Sequence, residues 1–184
     1  MQIGDALILT KAIGTGTLFA ADMRLQAKGR WIEGAIASML RSNQAAATVL
    51  QAHHATACTD VTGFGLLGHL VEMVQASGVA ATVELGLIAL LEGAATTAGQ
   101  GILSSLHWQN FQADRFVNPE ARQHSHYALL FDPQTSGGLL ASVPQEEAIA
   151  CLETLHAKCY IDSRIIGRVE PPSDQPPIRI EIDS

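Results

Sequence analysis

The chain has 184 residues, enough to bury a sizeable core in one domain or at most two small ones. At 47% hydrophobic and 16% charged residues it is a folded protein rather than a disordered one, and so low a charge content hints at surface covered by a partner. The net charge of −7, without a Lys/Arg cluster, argues against a general nucleic-acid binder, although nucleotide phosphates stay within reach where metal ions bridge two negative partners.

Ala6-Leu7-Ile8-Leu9 is an unbroken apolar run, the pattern of a strand buried on both faces. A core strand so near residue 1 is expected of a domain cut from a longer protein. Lys11 to Thr17 is a glycine-rich loop without the spacing or Lys-Ser/Thr ending of a Walker loop, so it reads as a turn feeding a short helix over Leu18 to Leu25. Trp31 to Leu40 is amphipathic at helical spacing. A second helix follows over Ala45 to Leu50, with Asn43 as its expected cap. His53 and His54 at its end point in different directions and make a poor metal pair; cationic side chains at a helix C-terminus are the simpler explanation.

Ala55 to Cys58 reads as a short buried strand, and Phe64, Leu67, Leu70, Val71 and Val74 recur at helical spacing. Asp60 therefore lies where a strand ends and a helix is about to begin. Thr62 is placed to cap that helix, while Gly63 and Gly65 permit a sharp turn or close backbone approach. A carboxylate in such a place suits a metal ion or metal–phosphate group, and equally suits a plain cap before a plain turn.

Gly78 is the expected C-cap, Val79 to Leu85 the next strand, and Leu87 to Ala98 the next helix, broken by Gly99-Gln100-Gly101. Ile102 to His126 is irregular, with His107 and Asn110 as exposed loop residues able to reach a ligand. Tyr127 to Phe131 and Leu139 to Val143 read as strands, joined by Asp132-Pro133-Gln134-Thr135-Ser136-Gly137-Gly138. That loop is either a hairpin with a glycine bulge or an anion nest at Thr135 to Gly138. Pro144 to Glu147 starts a helix running to about His156, and Ile161 to Val169 is a strand. Residues 171–184 form a proline-rich tail in which Ile178 to Ile182 alternates as an edge strand would, unless it is disordered.

Cys58, Cys151 and Cys159 are odd in number and lack a Cys-x-x-Cys pair, so reduced, buried thiols in a cytosolic protein are expected. The pattern leads us to expect neither a membrane span nor a signal peptide. Strands and helices mix without regular βαβ alternation, and the expected hairpin implies antiparallel pairing: an α+β sandwich.

Three stretches together resemble one family. Asp60-Val61-Thr62-Gly63-Phe64-Gly65-Leu66-Leu67-Gly68-His69, Leu129 to Leu140 through Asp132-Pro133-Gln134-Thr135-Ser136-Gly137-Gly138, and Leu9-Thr10-Lys11-Ala12-Ile13-Gly14-Thr15-Gly16 are similar to the C-terminal domain of the selenophosphate synthetases (selenide, water dikinases), over about residues 3–170. Ala12 departs from the family's usual proline, which touches a turn preference and no chemistry. The resemblance implies an AIR synthetase C-terminal domain fold over residues 1–170, an α/β sandwich with helices packed on a mixed or antiparallel sheet. It implies an enzyme that makes selenophosphate, AMP and phosphate from ATP, selenide and water. It also implies Mg2+ and ATP as cofactors shared with an N-terminal ATP-binding domain, Asp60 as one of several magnesium-binding aspartates, a homodimer of the full-length protein, and a cytoplasmic location.

The family's glycine-rich N-terminal segment, its reactive cysteine or selenocysteine with a nearby lysine, and its other metal aspartates are not in this sequence; Lys11 and Cys58 do not replace them. One carboxylate supplies a magnesium ion with one or two of about six ligands, so Asp60 alone should bind weakly. Dikinase activity from this chain by itself is not expected. The alternatives are a non-catalytic assembly or binding module fused to another enzyme, or a sibling ATP-dependent kinase or synthetase of another small molecule.

Overall fold

A computed structural model describes residues 1–172 and 176–182. Six strands form one sheet in the order β2-β4-β1-β5-β3-β6, with β1 Ala6–Leu9, β2 Ala57–Asp60, β3 Ala80–Glu84, β4 Leu139–Val143, β5 Arg164–Glu170 and β6 Ile178–Glu181. Every pairing is antiparallel except β3 with β6. This is the expected α+β architecture with a mixed sheet.

The side-chain period of two explains why β1 needs no polar residue. Leu7 and Leu9 enter a large core on one face, while Ile8 enters a smaller core on the other. Leu140 of β4 joins the first, and Leu139, Ala141 and Val143 join the second. The second face is covered by α3 (Gln44–Ala52) and α7 (Ala148–Ala157), with Cys151 and Leu155 wholly buried. His53 at the end of α3 meets Glu147 at 2.8 Å and Thr154 at 3.3 Å, so it clamps α3 to α7. The first face carries α1 (Thr15–Asp22), α2 (Gly29–Leu40) and α4 (Gly65–Ser77), with the short α5 (Ala94–Gly99), α6 (His107–Asn110) and a run of 3₁₀ turns. Gly78 closes α4 at φ 64°, the left-handed C-cap expected there.

Several local expectations fail for identifiable reasons. Tyr127–Phe131 is a 3₁₀ helix, not a strand. A short apolar run without alternation satisfies either conformation, and here the aromatic packing of Tyr127 and Phe131, at 5.2 Å between centroids, and of Phe111 and Phe131, at 4.8 Å, decides it. No hairpin therefore joins Tyr127 to Val143, and β4 pairs with β1 and β2 instead. The helix expected over Leu87 to Ala98 is reduced to α5, because Gly93 sits at φ +89° with its α-carbon against the indole of Trp31; a Cβ there would lie 2.2 Å from Trp31. β2 is an edge strand with exposed alternate residues rather than a buried one. Cys58 and Cys159 are exposed free thiols; only Cys151 is buried. β6 forms the opposite edge, with Ile178 and Ile180 buried, while residues 173–175 and 183–184 of the expected proline-rich tail fall outside the described residues.

Candidate functional site

Asp60 is the last residue of β2, opposite Leu139 of β4, and its side chain is exposed. The turn behind it is braced at each step. Val61, fully buried, donates its N–H to Gly138 O at 2.8 Å, and Gln134 N–H donates to Thr62 O at 2.9 Å. Thr62 N–H donates to Nε2 of His69 at 3.0 Å, and the opposite ring nitrogen, Nδ1, lies 3.1 Å from Glu72 Oε2. Those bonds set the tautomer: Nε2 accepts and Nδ1 carries the proton. Thr62 does not cap α4; its hydroxyl sits 3.1 Å from the same Nε2, and the cap position falls to Phe64. Asn110 donates to Gly63 O at 2.8 Å and Phe131 O at 3.0 Å, so it braces this turn rather than reaching outward.

A second knot joins the 10–16 and 132–138 loops. Gln134 Oε1 accepts from Gly14 N–H at 3.0 Å and Thr15 N–H at 3.2 Å, and Gly16 N–H donates to Asp132 Oδ2 at 3.0 Å. Gln134 Nε2 returns to Asp132 O at 2.8 Å and Oδ2 at 3.0 Å. Asp132 is 1% exposed, and Oδ1 has no hydrogen-bond partner among the described residues. Burial pushes its carboxyl up to about 7, against the opposing bonds from Gln134, Gly16 and Thr17. The loop is not a hairpin. Thr135 N–H is engaged by Thr15 Oγ1 at 2.9 Å, and the glycines are sites of close approach: a Cβ on Gly137 would lie 2.2 Å from Val61 O, and one on Gly138 2.6 Å from Lys11 N.

The three loops thus meet at one corner. Beside it opens a groove of about 670 Å³, to which Gly16, Gly63 and Pro133 contribute and which Trp108 and Met23 border, these last 70% and 86% exposed. Asp60 does not line that groove. His107 is buried and packs edge-on against Phe131 at 5.8 Å; burial lowers its pKa, and it does not face a ligand as an exposed loop residue would. The sequence alone gives Asp132, Gln134 and His69 no role beyond turn and helix residues; the glutamine between Asp-Pro and Thr-Ser-Gly-Gly is the one available signal.

Among the described residues no group of three or more His, Cys, Asp or Glu could hold a metal ion. What the corner offers is one hard oxygen ligand: Asp60 is exposed and takes part in no ion pair among the described residues. Cys58, two residues earlier, is no thiolate partner for it, because partial burial and then the Asp60 charge push the thiol up. Asp60 fits a divalent cation as one contributor among several, not as a complete site.

The AIR synthase related protein C-terminal domain matches residues 2–175. The selenide, water dikinase of Campylobacter jejuni is 34% identical over 168 residues, covering 91% of this chain and 48% of its own length. Selenide, water dikinase 2 of Peptoclostridium acidaminophilum is 37% identical over 169 residues, covering 90% and 48%. The chain thus spans about half the length, 48%, of these curated relatives. Among solved structures, the hydrogenase maturation protein HypE of E. coli superposes with a TM-score of 0.68 at 16% identity, over 98% of this chain and 47% of that one. Thiamine monophosphate kinase of Aquifex aeolicus superposes with a TM-score of 0.58 at 17% identity, over 100% and 51%. Both share the fold.

Proposed function

Because this chain belongs to the AIR synthase related protein family, as its C-terminal domain, we propose that it serves as the C-terminal half of a selenide, water dikinase. In this reading an N-terminal ATP-binding domain of the same enzyme supplies ATP and the remaining metal ligands. The joined halves convert ATP, selenide and water to selenophosphate, AMP and phosphate as a cytoplasmic homodimer. The observation that carries the reading is Asp60: an exposed carboxylate, free of ion pairs among the described residues, on a turn whose backbone is tied down on both sides.

Mg2+, when bound, would neutralise charge on the transferring phosphate. The chain's own residues orient the ligand. β4 holds the strand end in register, the Val61 and Thr62 bonds stop the turn from swinging, and the His69–Glu72 pair keeps an acceptor lone pair on Thr62 N–H. Such positioning of a charged group before the reaction is where phosphoryl-transfer enzymes gain most of their rate.

The test joins the chain to the N-terminal half of a relative and follows selenophosphate by phosphorus NMR. Activity appears only when both halves are present, and Asp60→Asn lowers it by about 100-fold or more, the scale of losing one transition-state electrostatic contact. Activity unchanged by Asp60→Asn would instead make the chain an assembly module.

A further inference from the structure

On the other side of the 10–16 loop lies a cavity of about 260 Å³ between that loop, α2 and the 159–162 turn. Lys11 lines it and is only 3% exposed. Its ammonium donates to Arg41 O at 2.6 Å and Ser136 O at 3.1 Å, and among the described residues it pairs with no carboxylate. An ammonium has three N–H donors, so one remains. Arg41 lines the same cavity; its guanidinium donates to Cys159 O and lies over the Tyr160 ring at 5.6 Å, leaving most of its donors free. A buried cation held by carbonyls alone, with a second cation beside it, is an arrangement that folding opposes unless a negative partner joins it.

We propose that this cavity binds a phosphate-type oxyanion, free or as the phosphate end of a small monoester, between Lys11 and Arg41. Two carboxylates shape what enters. Glu92 is neutralised by Arg30 at 2.7 Å, while Asp162 lies at the wall without an ion pair among the described residues. The unpaired charge of Asp162 disfavours the longer, more negative chain of a polyphosphate, so a single phosphate group fits better. Leu90 and Leu91 supply an apolar wall for a substituent. Burial and then the neighbouring Arg41 charge lower the Lys11 pKa, and a bound anion would reverse that shift. The site does not rest on the dikinase reading, since neither Asp60 nor its turn lines the cavity.

The experiment titrates the whole chain with inorganic phosphate and, separately, with phenyl phosphate, following backbone amide NMR shifts at constant ionic strength against chloride. Saturable shifts at Lys11, Arg41 and Cys159 are expected with at least one of the two, and none with chloride. Arg41→Gln, an exposed substitution that leaves the core intact, should weaken binding by about tenfold or more, as losing a charge-assisted hydrogen bond implies, and Lys11→Met should do likewise if it folds. Tighter binding of phenyl phosphate identifies a monoester site; equal or weaker binding identifies a site for free phosphate. Absence of saturable binding of both, or binding by Arg41→Gln within about twofold of the parent chain, would overturn the proposal.

Discussion

Asp132 ties the 132–138 loop to Gly16 while almost wholly removed from water, and its carboxyl is pushed up to about 7. A carboxyl raised on folding binds its proton more tightly in the native state than in the unfolded one. Its contribution is therefore complete below the ordinary carboxylate range and is lost as pH rises through about 7. Asp132→Asn, which cannot ionise, should remove that loss. Thermal unfolding of the two proteins should show the variant gaining on the parent between about pH 4 and pH 7, by an amount on the order of a few kcal/mol. Parallel pH profiles would contradict the assignment. At the Asp60 turn, His69→Leu deprives Thr62 N–H of its acceptor. Denaturant titration should show a loss of about 1–3 kcal/mol, with His69→Gln recovering part of it. Asp60 was legible as a candidate because it stands between an apolar strand and a glycine turn. The Asp132–Gln134 knot was not, because its partners at Gly14 to Gly16 lie more than 100 residues away and no local pattern encodes them.

Periodicity predicted the elements best where burial is simple. β1 lies between two cores and reads as continuous apolar sequence, and α2 and α4 carry helical stripes that appear where expected. Elements failed where one distant contact outweighs local preference. Tyr127–Phe131 follows its aromatic neighbours into a 3₁₀ helix, and α5 begins only after Gly93 because Trp31 occupies the space a side chain would need. Gly93→Ala therefore combines overpacking with a left-handed backbone, and should destabilise by about 1–3 kcal/mol or more, read as a lower denaturant midpoint at unchanged slope. A neutral result would remove Trp31 as the reason for the helix break.

At the scale of the whole molecule the sheet has two unlike edges. β2 presents Asp60 at one, and β6 closes the other by pairing parallel with β3. Truncation after Pro172 would remove β6, with its buried Ile178 and Ile180, and bare the β3 edge. The transfer of two isoleucine side chains sets the expected loss at about 3–6 kcal/mol, an upper bound, with aggregation from the bared edge as its companion sign. The fold class and the family motifs were readable from residues alone, whereas the strand order was not, since it depends on which face each apolar run covers.

In the proposed reading, Asp60 completes a divalent-cation site presented by an N-terminal half joined to this chain. Manganese binding to the reconstituted two-half protein with a non-hydrolysable ATP analogue, followed by electron paramagnetic resonance, tests it most directly. Asp60→Asn should weaken the metal by about tenfold or more, the loss of one charged oxygen ligand, while the 184-residue chain alone binds it weakly with either residue. Manganese affinity of the joined halves within about twofold of the parent after Asp60→Asn would contradict the claim.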